Sequence, residues 1–480
     1  MTLARLTTLL SLAAAAASLH AAGSEENAWP AYVLEKDAAG QTESWNAAGP
    51  LAFFGPEPGT DQGTVEGFRP FYVRSTDATC VKTDILYPLF FYRQYPDNYT
   101  WSILQLINGK GLNANAAKAA GPKDQHFDLW PFYFSHETDD PDESYHALLP
   151  IYGNIKYRLG YQRLFWAPFP LYVQTVKHGT QTTYVPWPIV RIVTGDSHGF
   201  GIWPLFGSTH GPGGSYSNFY LWPLGWNNAV EPGPQEPEGS PLTYHRAFLP
   251  FFSSDSGPGL ESRTYLWPFF GYTEQASPLR YSERRYFWPF LVQGTGDGRR
   301  LERWAPFYTR STSRFSESTW VVWPLWHRVS WNDGDVAQSK TQFFYFVYWS
   351  LDQRSDTNPA AAPAYKTHLW PLVSAWDNGA GSRQVQIPSP LEVFFNDNPD
   401  MRQTWTPLFS LFRYDHRPDG EARTSLLWGA LSWRRDDRNG LREFHAGPLV
   451  GMRRGPAGDR WTILGFDFGA NPGNHGQHIR

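Results

Sequence analysis

Residues 264–329 read TYLWPFFGYTEQASPLRYSERRYFWPFLVQGTGDGRRLERWAPFYTRSTSRFSESTWVVWPLWHRV, and four times in this stretch Trp or Ala precedes a proline followed by Phe or Leu. Proline has no amide hydrogen to give a β-ladder and is confined to edges, strand starts and bulges. Yet each proline sits inside an aromatic run with strand-forming composition. A conflict repeated so regularly has to be part of the architecture.

With the central proline as phase marker, a ruler runs through Pro50, Pro70, Pro88, Pro131, Pro150, Pro168, Pro188, Pro204 and Pro223. It continues through Pro250, Pro268, Pro289, Pro306, Pro324, Pro371, Pro390, Pro407 and Pro448. Three wider gaps hold proline-free runs, WSILQLI near Leu106, FFYFVYW near Phe346 and LLWGALSW near Gly429, and WTILGFDF closes the series. From Pro50 to Phe466 is 416 residues in 21 steps, a period close to 20. The clearest markers are the pairs Trp267 and Pro268, Trp288 and Pro289, Trp304 and Pro306, Trp323 and Pro324, and Trp370 and Pro371. An internal repeat of this length governs the fold.

Polar tracts separate the apolar runs and carry turn chemistry at Asn108-Gly109, Asp297-Gly298, Asp333-Gly334, Asn378-Gly379, Asp419-Gly420 and Asn439-Gly440. Such dipeptides supply the positive φ angles of tight hairpin turns. The period therefore predicts an all-β protein, a large antiparallel meander of about 22 strands over residues 49–468. One strand and one connection per period suits a closed β-barrel directly. A sandwich, a propeller or a solenoid array remains as the alternative. The prolines are expected to mark a ring of kinks at one height, housed in bulges. The rival account has proline dividing each unit into two short strands.

The chain opens MTLARLTTLLSLAAAAASLHAAGSEEN, a short basic start and an apolar stretch followed by small residues. This pattern predicts a secretory signal peptide over residues 1–22, cleaved between Ala17 and Ala22. Residues 23–48 form an N-terminal segment, and 469–480 are expected to be a disordered tail. After the signal no 18-residue apolar run occurs, which excludes transmembrane helices but not spanning strands. Cys80 is the lone cysteine, so neither an intramolecular disulfide nor a cysteine metal cage can form. The net charge is −4 with basic residues scattered, so no nucleic-acid footprint is present.

Catalytic signatures are missing. No HExxH or nucleophile elbow occurs, and the glycine-rich THGPGGSYS precedes no predicted helix. The acidic tract holding Asp139, Asp140, Asp142 and Glu143 reads as a solvated turn, and WNDGDVAQS likewise. His475 and His478 lie in the tail and predict no metal site. No catalytic, cofactor or metal residue is expected. Trp267, Trp288, Trp323 and Trp370 recur at one phase, as core or girdle residues would, although exposed aromatics could also stack on sugars. The arginine-rich ends RRYF, RRLERW and SWRRDDR are expected to be solvated, with rim or lumenal ion pairs as the second reading.

An export signal, no disulfides and repeated aromatic hairpins together resemble the bacterial outer-membrane β-barrel class. The resemblance implies lipid as partner and a structural or pore-like role without catalysis. One departure stands out, since Phe468 would be the terminal aromatic but 12 residues follow it. The alternative is a soluble exported repeat protein binding glycans or envelope partners.

Overall fold

The computed structural model describes residues 24–37, 39–57, 63–113, 123–231, 241–277, 279–395, 398–456, 458–464 and 466–469. The signal-peptide expectation and nearly all of the expected tail lie outside them. Among the described residues the chain forms one long antiparallel meander of 44 strands, numbered β1 to β44 in chain order. Among the described residues β1 (Ser24–Ala28) pairs with β2 (Tyr32–Lys36) and β44 (Phe466–Gly469) with β43 (Gly458–Ile463), and the ladder is not closed.

The expected count of about 22 strands needs correcting: the repeat unit is a hairpin, and 44 strands make 22 of them. The prolines explain the difference. They lie in the turns rather than within strands. Between β25 (Leu260–Tyr265) and β26 (Phe270–Gln275), Tyr265 pairs directly with Phe270, so Leu266, Trp267, Pro268 and Phe269 form a four-residue turn. Its Phe269 N–H donates to Leu266 O at 3.0 Å. A cis proline at the third position is the signature of a type VI turn, and 14 of the 18 marker prolines follow a cis bond. The expected bulges at proline do not occur. The register shifts lie at Glu35/Lys36 and Arg285/Phe287 instead. A run that looked apolar on both faces is therefore a hairpin tip seen end to end.

Every turn from an odd to an even strand falls on this proline-aromatic edge, and every even-to-odd turn on the opposite, polar edge. Asp297-Gly298 and Asn439-Gly440 lie in the polar turns with both glycines at positive φ, as their chemistry requires. Asn108-Gly109 does not. It sits inside β10 (Ile107–Leu112), opposite Trp101, and a Cβ on Gly109 would come 2.3 Å from the Trp101 indole nitrogen. That glycine makes room for a ring.

Two compact units divide the chain, Met1–Tyr95 with Asp333–Arg480, and Pro96–Asn332. In the second, one sheet face buries Phe134, Tyr145, Ala147, Ile155, Trp166 and Val173 in a single cluster. Trp166 lies flat over Gly153 on the neighbouring strand, where an added Cβ would meet its ring at 2.2 Å. Overpacking a filled core costs about 1–3 kcal/mol. Gly153→Ala should lower the urea midpoint accordingly with an unchanged slope, and an unshifted midpoint would contradict this packing.

In the first unit the inward face carries a small apolar cluster, Phe53, Val65 and Val73, beside buried polar groups. Glu25, Asn27 and Glu35 meet β39 (Glu421–Leu426), β40 (Leu431–Asp436) and β41 (Leu441–Ala446) across the interior. Residues 388–411 replace one proline turn with an insert carrying two short helices, Pro399–Thr404 and Thr406–Phe409. The markers Pro390 and Pro407 fall there rather than in a tip. The insert is anchored by Arg93–Asp400 at 2.8 Å and by the Trp405 indole N–H donating to Tyr87 O at 2.7 Å. Inside this unit, ion pairs and the insert pack beside the apolar cluster of Phe53, Val65 and Val73.

Candidate functional site: an exposed aromatic edge

The structure places Trp267, Pro268, Trp288, Pro289, Pro306, Trp323, Pro324, Trp370 and Pro371 in proline-edge turns. Trp304 closes β29 (Arg299–Trp304), directly beside the Ala305-Pro306-Phe307 turn. These tryptophans are exposed rather than core. Trp267 is 44% exposed, Trp304 57% and Phe307 70%.

Successive tips are joined. Leu266 N–H donates to Phe251 O of the preceding tip at 2.7 Å, Trp288 to Phe269 O at 2.7 Å, Ala305 to Phe290 O at 2.8 Å and Val322 to Phe307 O at 2.7 Å. The ladder thus continues through the turns. Proline now makes sense by its missing donor, because at a tip beyond the last ladder bond it is the residue with no N–H to leave unpaired.

Behind each tip between residues 248 and 326 stands one cross-strand apolar pair on the outward face. In the second unit these pairs include Phe248 with Phe252, Tyr265 with Phe270, Phe287 with Leu291, Trp304 with Tyr308 and Val321 with Trp326. Phe287 stacks on Phe269 at 5.3 Å and on Phe290 at 5.6 Å. The outward face therefore carries an apolar band along one edge. The inward face behind it carries Ser262, Thr264 and Thr273, held together by the Arg285 guanidinium. RRYF is split accordingly, with Arg284 outward and exposed and Arg285 inward and bonded.

One cluster has the residue types of a metal site. Asp124, His126 and His136 each offer a ligand atom within 4.8 Å of the others. Both histidine Nε2 atoms approach the same Asp124 Oδ1, at 3.1 and 3.0 Å. Their rings stack at 3.7 Å and 11°, however. Parallel imidazoles direct their lone pairs in parallel, so an ion shared between them would sit well out of both ring planes. Lys110 already occupies the other Asp124 oxygen at 3.1 Å. Burial and the neighbouring His136 hold His126 below the usual histidine range. This is a His–Asp–His hydrogen-bond network on the sheet, which sequence spacing alone did not reveal. The acidic tract folds as a turn, with Asp142 N–H donating to Asp140 Oδ1 at 2.7 Å.

The fold and its edge define an all-β hairpin meander whose apolar residues concentrate at one set of turns. Compared with protein-family models and with curated proteins, the chain matches none.

Proposed function

We propose that this protein docks edge-on to a membrane, its proline-aromatic tips entering one leaflet, and serves a structural rather than catalytic role there. The observation that carries the reading is the continuous row of exposed Trp, Phe and Leu tips with their own backbone ladder. Exposed apolar patches of this extent mark interaction surfaces, and backbone entering lipid must satisfy its polar groups internally. Trp and Tyr favour the bilayer interface. Strand length speaks for docking rather than crossing. A spanning strand needs about 9–11 residues, whereas β23 (Thr243–Phe248) to β31 (Ser316–Val321) have five to seven each. Among the described residues no helix is long and apolar enough to cross a membrane. With the export signal expected over residues 1–22, the bacterial outer membrane is the proposed location.

Flotation with phosphatidylcholine vesicles tests this. The wild type should float with the lipid, and brominated acyl chains should quench its tryptophan fluorescence. Substituting Trp267, Trp288 and Trp323 together by Ser should weaken binding by about tenfold per tryptophan, from the ~1.5 kcal/mol or more that each buried side chain contributes. Protein left in the aqueous layer and unquenched would refute the reading. Quenching by saccharides in that case would favour glycan recognition instead.

A further inference from the structure

Across β23 to β32 (Trp326–Asp333), one further row lies on the outward face, two residues back from the apolar pairs. The register runs Arg246 to Ser254 to Arg263 to Tyr272 to Arg284, then Gln293, Glu302, Arg310, Thr319 and Arg328. Five arginines, interrupted by the single acid Glu302, stand at one height, and all five are exposed. The next row back holds Glu261, Glu274 and Glu317 behind three of the arginines, and Arg300 behind Glu302, where the order is reversed. Glu261 pairs with Arg263 at 3.1 Å, Glu274 with Arg284 at 2.5 Å and Glu317 with Arg310 at 2.8 Å. Arg284 also lies 5.3 Å from the Tyr272 ring, and Arg246 the same distance from Tyr244. At those three ion pairs the outward face thus reads aromatic, arginine, glutamate from tip to polar edge.

Resting on the docking reading, we propose that this arginine row binds the phosphates of anionic lipid headgroups. Depth fits. Three residues separate an arginine Cα from the tip, about 10 Å at 3.3 Å per residue, and interfacial elements bury their apolar face about 5–10 Å into the headgroup boundary. Tips seated in the acyl region therefore bring the guanidiniums level with the phosphates. Charge fits as well. Guanidinium presents a planar fork that matches phosphate oxygens two at a time, and Glu261, Glu274 and Glu317 lie on the side away from the lipid, where they orient the forks. Arginine holds five of the ten positions of this row, against one acid.

The experiment compares vesicles of pure phosphatidylcholine with vesicles carrying phosphatidylglycerol, at low and high salt. The wild type should bind the anionic vesicles more tightly, with the preference lost in high salt. A triple variant, Arg263→Gln, Arg284→Gln and Arg310→Gln, should lose about fivefold per arginine on anionic vesicles and bind neutral ones as before. The matching Arg→Lys triple should recover most of the preference, which separates a charge effect from a folding defect. Equal binding to both lipids, or an unchanged Gln variant, overturns the headgroup proposal while leaving edge docking intact. Failure to bind either vesicle overturns both.

Discussion

Glu25→Ala should destabilise the first unit by about 3 kcal/mol, the lower end of what breaking a buried ion pair costs. Glu25 is almost fully buried, with Oε2 at 3.1 Å from Arg423 Nη2 and Oε1 accepting from the Ser432 hydroxyl at 2.5 Å and from Asn27 at 3.1 Å. Burial alone would raise its pKa, but Arg423, Ser432 and Asn27 outweigh it and hold the carboxyl below the ordinary range. Removing it leaves Arg423 with Glu35 and the charge of Asp415, and takes an acceptor from Ser432, while Asn27 keeps Gly429 O at 2.8 Å. Arg423 keeps those carboxylates, which is why the lower figure applies. Guanidinium unfolding followed by tryptophan fluorescence reads the change. A loss under 1 kcal/mol would mean that water, not Glu25, satisfies Arg423. Glu25 lies in β1 and Arg423 in β39, near opposite ends of the sequence, so the same loss reports that these two strands meet across the interior.

Much of the fold is legible in the sequence, and what is not has a common cause. The period of about 20, the all-β composition and the antiparallel zigzag can all be read from the spacing of the prolines and glycines. Strand number cannot, because the two turns of each period look different. The polar turn announces itself through Asp-Gly or Asn-Gly, as at Asp297-Gly298. The proline turn is camouflaged, since Leu266 to Phe269 lies between Tyr265 and Phe270, the outward apolar pair, and the six read as one continuous strand core. Asn108-Gly109 misleads in the opposite sense, its glycine serving the Trp101 ring rather than a turn. The candidate edge was marked at the right residues, Trp267, Trp288, Trp323 and Trp370, but their exposure depends on their being tips. The arginine row was hidden further, because Arg284 and Arg285 are adjacent in sequence and only strand alternation sends one outward and one in. Long-range partners such as Glu25 and Arg423 carry no local signal at all.

Glu443 should behave opposite to Glu25, and pH separates them. Its carboxyl is almost fully buried, with Arg453 Nε at 3.2 Å and Arg434 Nη1 at 3.8 Å. Burial dominates and pushes its pKa up to about 7; Arg453 and Arg434 oppose the rise, and Glu25 adds to it. The folded state then holds this proton more tightly than the unfolded chain, whose glutamate titrates near the ordinary value of about 4.3. Stability from this group is present below pH about 4.3 and is lost as pH rises through about 7. The total is on the order of 4 kcal/mol, at 1.36 kcal/mol for each pKa unit. Other groups titrate over the same range, so the useful quantity is the difference between the wild type and Glu443→Gln, whose amide resembles the protonated acid and does not ionise. At pH 4 the two proteins should be about equally stable. By pH 8 the Gln variant should be the more stable by roughly 3–4 kcal/mol, nearly all of that interval. Parallel stability curves from pH 4 to 8 would show that the arginines, rather than burial, set the ionisation of Glu443. A buried carboxylate that weakens its own unit at neutral pH, beside one that strengthens it, follows from geometry: Glu25 has a guanidinium and two hydrogen-bond donors within reach, whereas Glu443 shares guanidiniums that are already engaged, Arg434 with Glu421 at 2.6 Å.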